Sequence, residues 1–137
     1  MLGKKGLIGV VDDELDIVQL YRDALIASGF SVFAFTNPLI ALEHFKINKM
    51  SYVLIISDLR MPGLDGIRLI EKVKNMNHKI RTILVSAFEV DDSIFEQYTR
   101  QNIIDSFLQK PITLRNLLTE VENQLRIHQL QKQKLKT

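Results

Sequence analysis

One feature constrains this chain more than any other: an alternation of two periodicities. Five short apolar runs, "GLIGVV", "FSVFAF", "SYVLIIS", "RTILVS" and "DSFLQ", recur along the sequence. Each has strand length, and most are rich in β-branched residues. Between and after them lie segments with helical spacing. Leu15, Val18, Tyr21 and Leu25 mark the first helix, and Gly29 suits its C-terminal stop. Asn37-Pro38 reads as an N-cap followed by a first-turn proline. Asp65-Gly66 leads into a third helix through Ile67, Ile70 and Val73 or Lys74. Ser93 and Glu96 have capping-box spacing for a fourth. Leu114, Leu117, Leu118, Val121 and Leu125 stripe a fifth.

Strands alternating with helices predict an α/β fold, a parallel sheet covered on both faces. "LIGVV", "VLIIS" and "TILVS" are almost continuously apolar, as central strands require. "FSVFAF" alternates and "DSFLQ" has polar ends, so these two read as edges. With right-handed crossovers the expected architecture is a doubly wound, five-stranded, flavodoxin-like sheet of order 2-1-3-4-5 with five flanking helices.

That topology gives meaning to "VVDDE". Ligands of such sheets bind beyond the carboxyl ends of the strands, where the winding reverses. Asp12 and Asp13 end strand 1, and Asp58 ends strand 3, its neighbour. Each pair of carboxylates ~5 Å apart repels by about 3 kcal/mol at an effective dielectric near 20. Such a cluster must hold a proton or a cation, and an all-oxygen donor set suits a hard divalent ion, most simply Mg²⁺. Capping of the first helix accounts for Glu14. It does not account for Asp12, or for an acid on the next strand. Ser86 ends strand 4 in "LVSA", and Lys110 follows strand 5 in "FLQKP". Taken singly, Ser86 reads as a strand-end turn residue and Lys110 as a solvated lysine. Beside a metal-binding acid cluster, a hydroxyl and an ammonium can neutralise phosphoryl oxygens, and a carboxylate can be the nucleophile.

The ordered set "VVDDE", "ISDLRMPGLDG", "LVSA" and "FLQKP", from about Leu7 to Gln124, resembles the receiver domains of two-component response regulators, chemotaxis-regulator-like. The resemblance implies that Asp58 is the phosphoacceptor. Asp13, Asp58 and the backbone carbonyl of Arg60 would hold Mg²⁺, with Asp12 acting largely through water. Lys110 would pair with the phosphoryl group, Ser86 would hydrogen-bond it, and Phe107 would be the switch aromatic. Arg60 and Phe88 stand where the family tunes phosphoryl lifetime. Met61-Pro62-Gly63 needs only a turn reading.

The expected role is a signalling module rather than an enzyme, though one that assists its own phosphorylation and dephosphorylation. A histidine kinase or histidine phosphotransfer protein would supply the phosphoryl group. The face formed by helix 4, strand 5 and helix 5, including Tyr98, would meet a downstream protein. The alternatives are a phosphate sink in a relay and a Mg²⁺-dependent aspartyl-phosphate phosphatase or phosphotransferase. Arg60 stands where such phosphatases commonly carry a second acid, and no cap domain is evident.

Charge bears on partners. After Glu122 there is no acidic residue, while Arg126, Lys132, Lys134 and Lys136 follow, leaving 14 basic against 16 acidic residues in the rest. The expected division is therefore a domain over 1–125 and a basic extension or linker start over 126–137. Net charge of +2 is too weak alone to imply nucleic acid and the basic run reads as a solvated face, so no direct nucleic-acid binding is expected; the heptad register of the tail is broken at His128 and Lys132. The absence of cysteine excludes disulfides and thiolate metal sites. No stretch reaches the length of a membrane span, so the cytoplasm is the default location.

Overall fold

The computed structural model describes residues 6–87 and 92–136. The elements run β1 (Leu7–Val11), α1 (Leu15–Ala27), β2 (Ser31–Phe35), α2 (Pro38–Ile47), β3 (Tyr52–Asp58), α3 (Gly66–Met76), β4 (Arg81–Ser86), α4 (Asp92–Arg100), β5 (Ser106–Gln109) and α5 (Leu114–Lys136). All strand pairs are parallel and the sheet order is β2-β1-β3-β4-β5, as the alternation of patterns requires.

Two apolar layers hold the sheet. On one face Val18, Tyr21 and Leu25 of α1 and Leu117 and Val121 of α5 pack on Ile8, Val10, Leu54, Ile56, Ile83 and Val85. On the other, Ala41 and Phe45 of α2 and Leu69, Ile70 and Val73 of α3 pack on Val11, Ile55 and Leu84. The period of two along β1, β3 and β4 sends alternate side chains into each layer, so both sides of each central strand are apolar. Burying each such Leu, Ile or Val side chain contributes roughly 2 kcal/mol.

Local chemistry sets the helix ends. α1 closes on a Schellman motif: the Gly29 N–H donates to the Ile26 carbonyl, the Phe30 N–H donates to the Leu25 carbonyl, and Gly29 has φ +94°. Asn37 caps α2 through the Leu39 N–H, and Asp65 caps α3 through the Arg68 N–H. The Ser93 capping box is corrected by the structure: α4 begins at Asp92, two residues before the Ile94 start that a Ser93 N-cap implies, which places Ser93 inside the first turn. Phe88 lies outside the described residues. α5 runs unbroken through the expected boundary between residues 125 and 126.

Gly9 sits in the middle of β1 because α2 presses on it. A Cβ there would lie 3.0 Å from Phe45 Cε1 and 3.2 Å from Tyr52 Cε1, and would overlap the tip of the Phe45 ring. The Phe45 and Tyr52 rings fill that space against each other, with centroids 4.1 Å apart.

Candidate functional site

β1 and β3 end side by side, Val11 paired with Ser57. The residues that follow these pairs are acidic. Asp12 is buried, at 2% exposure, and its N–H still donates to the Phe35 carbonyl of β2. Its Oδ1 accepts the Glu14 N–H at 2.9 Å, which turns the chain into α1. Glu14 itself occupies the N-cap position but makes no side-chain cap bond. Asp13 is exposed and Asp58 is partly buried. One carboxylate oxygen from each of Asp12, Asp13 and Asp58 can be chosen so that all three lie within 4.8 Å of one another.

Lys110 reaches this cluster from the end of β5. Its Nζ lies 2.9 Å from Asp12 Oδ2 and 3.4 Å from Asp58 Oδ1. The backbone fixes that reach, since the Lys110 N–H donates to the Ser86 carbonyl at 2.8 Å. The structure thus brings Asp12, Asp13, Asp58 and Lys110 together directly. It places Ser86, 1% exposed, at the end of β4, the strand between those of Asp58 and Lys110. Phe107 is set apart. It is partly buried over the α3–α4 layer, its ring 5.5 Å from that of Phe95, while Leu108 joins the opposite layer. Arg60 is exposed in the loop after β3, where it borders a shallow cleft with Leu59, Asp65, Arg68 and Tyr98.

The electrostatics follow from burial and charge. Burial and the neighbouring Asp12 raise the Asp58 pKa above its ordinary value, and Lys110 only partly opposes them. Burial alone would lower the Lys110 pKa, but the hydrogen bond and charge of Asp12, with those of Asp58, more than offset it and leave it raised. Lys110 therefore acts as a fixed internal cation. Two acids in contact with it and a third beside them remain under-neutralised. That surplus, with oxygen-only donors, fits a hard divalent cation.

Two site residues escaped the sequence reading. Tyr21 appears there only as a core position of α1, yet its phenol is buried within the field of the cluster. Burial raises its pKa, Lys110 pulls it down, and Asp12, Asp58 and Glu14 push it up again. Gly66 appeared only as a helix start. A Cβ on it would overlap the Asp58 carbonyl oxygen and lie 2.9 Å from the Asp58 carbonyl carbon and 3.1 Å from Leu59 Cα. Its N–H donates to the Leu59 carbonyl at 2.7 Å, while the Leu59 N–H donates to the Val85 carbonyl at 2.9 Å. Gly66 thus lets α3 close directly on the backbone that carries Asp58. Its place at the head of a helix beside an acid-bearing loop was the available clue.

The chain is similar to known proteins in sequence and in fold. The model of the response regulator receiver domain matches residues 8–122. The DNA-binding transcriptional regulator NtrC of Escherichia coli (strain K12) is 28% identical over 130 residues, covering 95% of this chain and 27% of that protein. The chain thus spans about a quarter of that regulator's length. Sporulation initiation phosphotransferase F of Bacillus subtilis (strain 168) is 32% identical over 96 residues, covering 70% of this chain and 74% of that one. Among solved structures, the CheY-like receiver domain protein of Methanospirillum hungatei JF-1 superposes with a TM-score of 0.82 at 21% identity, covering 93% of this chain and 99% of that one.

Proposed function

The chain belongs to the response regulator receiver domain family, the phosphoacceptor signalling modules of two-component systems, and from that premise we propose that Asp58 is its phosphorylated residue. One observation carries this reading: Asp58 ends β3 within reach of both a metal-competent acid cluster and the Lys110 ammonium. A histidine kinase or histidine phosphotransfer protein is the donor. An Asp58 carboxylate oxygen attacks phosphorus, the P–N bond to the donor imidazole breaks, and the imidazole leaves with a proton from solvent. Lys110 sits between Asp12 and Asp58, placed to receive negative charge on a phosphoryl oxygen. Ser86, at the end of the intervening strand, is the hydroxyl donor to a second oxygen.

Asp12, Asp13 and Asp58, with the Arg60 backbone carbonyl, are the groups that would hold Mg²⁺. The ion, when bound, supplies positive charge to the phosphoryl oxygens that protein donors leave uncovered. Output runs through the face of α4, β5 and α5. Phe107, in contact with Phe95 of α4, is the aromatic that repacks as Ser86 is drawn toward the phosphoryl group. The phosphorylated and free forms are then two packings of one surface, and a downstream protein distinguishes them.

Incubation with a small acyl-phosphate donor and Mg²⁺ should add one phosphoryl mass that hydroxylamine removes. Asp58→Asn should abolish it, and undiminished labelling of that variant would refute the assignment. Beryllofluoride should then shift backbone amide resonances from the acid cluster through Phe107 into α4. Shifts confined to the acid cluster would replace the switch with a phosphate sink.

A further inference from the structure

A second concentration of charge lies at the opposite pole of the sheet, separated from Asp58 by the length of β4 and β5. A cleft of about 840 Å³ opens there between the end of α3, the start of β4, the turn before β5 and the last turns of α5. That volume falls within the range of small-molecule sites, roughly 300–1,000 Å³. Among the described residues its charged lining includes Lys74, Lys79 and Arg81 against the single carboxylate of Asp105, a surplus of two positive charges before any histidine is protonated.

Asp105 has little left to offer that surplus. Its Oδ2 accepts from Lys74 Nζ at 2.8 Å, from the Thr82 N–H at 2.9 Å and from Thr82 Oγ1 at 3.2 Å. Its Oδ1 lies 3.4 Å from the Arg81 guanidinium, whose Nε also donates to Gln124 at 2.8 Å. Both cations are largely out of water, Lys74 at 8% and Arg81 at 12% side-chain exposure. Anchoring the start of β5 needs one buried ion pair. A second buried cation on the same carboxylate, with Lys79 at the rim, exceeds that need. His128 of α5 feels the excess: burial lowers its pKa, and Lys132, Arg81 and Lys79 lower it further. Asn75 and Asn102 add neutral amide donors to the lining.

We propose that this cleft binds a small polyphosphate anion, a ligand carrying a di- or triphosphate group. A surplus of two charges in a compact concavity, flanked by neutral amide donors, matches such an anion. A monocarboxylate would leave half of it unbalanced, and a nucleic acid spreads its charge along a track rather than into a cleft. The site is independent of the Asp58 chemistry, needs no divalent ion, and shares β4 and β5 with it only through their opposite ends.

The test uses the full chain and inorganic tripolyphosphate in low-salt buffer without divalent ions. Calorimetry should give one-to-one binding. Amide shifts should centre on Asn75, Lys79 and Ile103, and the His128 imidazole pKa should rise when the anion is bound. Lys79→Glu changes only an exposed side chain, so its melting temperature and Asp58 labelling should match the wild type. Its affinity should fall by roughly tenfold or more. Asp58→Asn should bind as the wild type does. Non-saturable heats, shifts scattered over all surface lysines, or unchanged affinity in the charge-reversed variant would each overturn the proposal. Tighter binding of a single-stranded oligonucleotide than of tripolyphosphate would also overturn it, in favour of a nucleic-acid surface.

Discussion

Gly66→Ala and Gly63→Ala separate two ways in which a methyl group can harm the loop between β3 and α3. At position 66 the new Cβ would stand 2.9 Å from the Asp58 carbonyl carbon and 3.1 Å from Leu59 Cα. Carbon atoms in ordinary contact lie about 3.5–4.0 Å apart, so α3 and the Asp58 backbone must part by up to about 1 Å. All the crowded atoms are backbone, which cannot rotate away. Overpacking of this kind costs about 1–3 kcal/mol. A misplacement of about 1 Å at a reacting group lowers rates by roughly a hundredfold. At position 63 the geometry is reversed. Gly63 has φ +89°, but its nearest neighbour would be Leu39 Cδ1 at an ordinary 3.8 Å. Gly63→Ala should therefore cost about 1–2 kcal/mol of backbone strain and nothing in reactivity. Thermal melts should show both variants destabilised by similar amounts, while initial rates of Asp58 labelling by a small acyl phosphate should drop only for Gly66→Ala. Wild-type labelling by Gly66→Ala would refute the claim that this glycine positions the phosphoacceptor.

Three further outcomes are expected. Folding raises the Asp58 pKa, so its contribution to stability is fully present below the ordinary carboxyl value of 3.8 and is lost as pH rises through the folded value. Without Mg²⁺, Asp58→Asn should thus melt higher than the wild type at neutral pH, with the gain vanishing in acid; equal melting at pH 7 would contradict this. Mg²⁺ should raise the wild-type melting temperature, and Asp13→Ala should remove most of that rise while changing the metal-free melt little, because Asp13 is exposed. Lys110→Met leaves the buried Asp12 without its cation, a loss of about 3–5 kcal/mol without divalent ions, of which Mg²⁺ should restore a larger share than it adds to the wild type.

The strand order was readable because both signals it needs are local. Continuous apolar runs mark β1, β3 and β4 as central, and polar interruptions mark β2 and β5 as edges. The acid cluster was readable because the doubly wound topology turns a position at a strand end into a place in space. Contacts that join distant segments were not readable. Lys74 fits the apolar face of α3 by spacing, and only the structure shows why a lysine is tolerated there: Asp105, 31 residues later, meets it at 2.8 Å. Gly66 hid for a different reason. A glycine at a helix start is commonplace, and its meaning lies in the backbone atoms on the other side. The start of α4 came two residues earlier than a Ser93 cap implies, because that stretch of the sequence offers several residues that suit a helix N-terminus and short-range preference does not rank them.

The close seating of α2 on Gly9 bears on how relatives of this chain can diverge. Phe45 occupies the space that a side chain on β1 would claim, and Tyr52 closes it from the neighbouring strand. The two positions are therefore sterically coupled. A lineage that replaces Gly9 by alanine or valine while keeping Phe45 drives a methyl into an aromatic ring. A lineage that shrinks Phe45 while keeping glycine opens a void the size of that ring. Either single step costs stability, and only the paired exchange restores a filled layer. Among homologous chains, glycine at the position of Gly9 should travel with a large aromatic at the position of Phe45, and bulkier residues in the strand with a smaller partner on the helix.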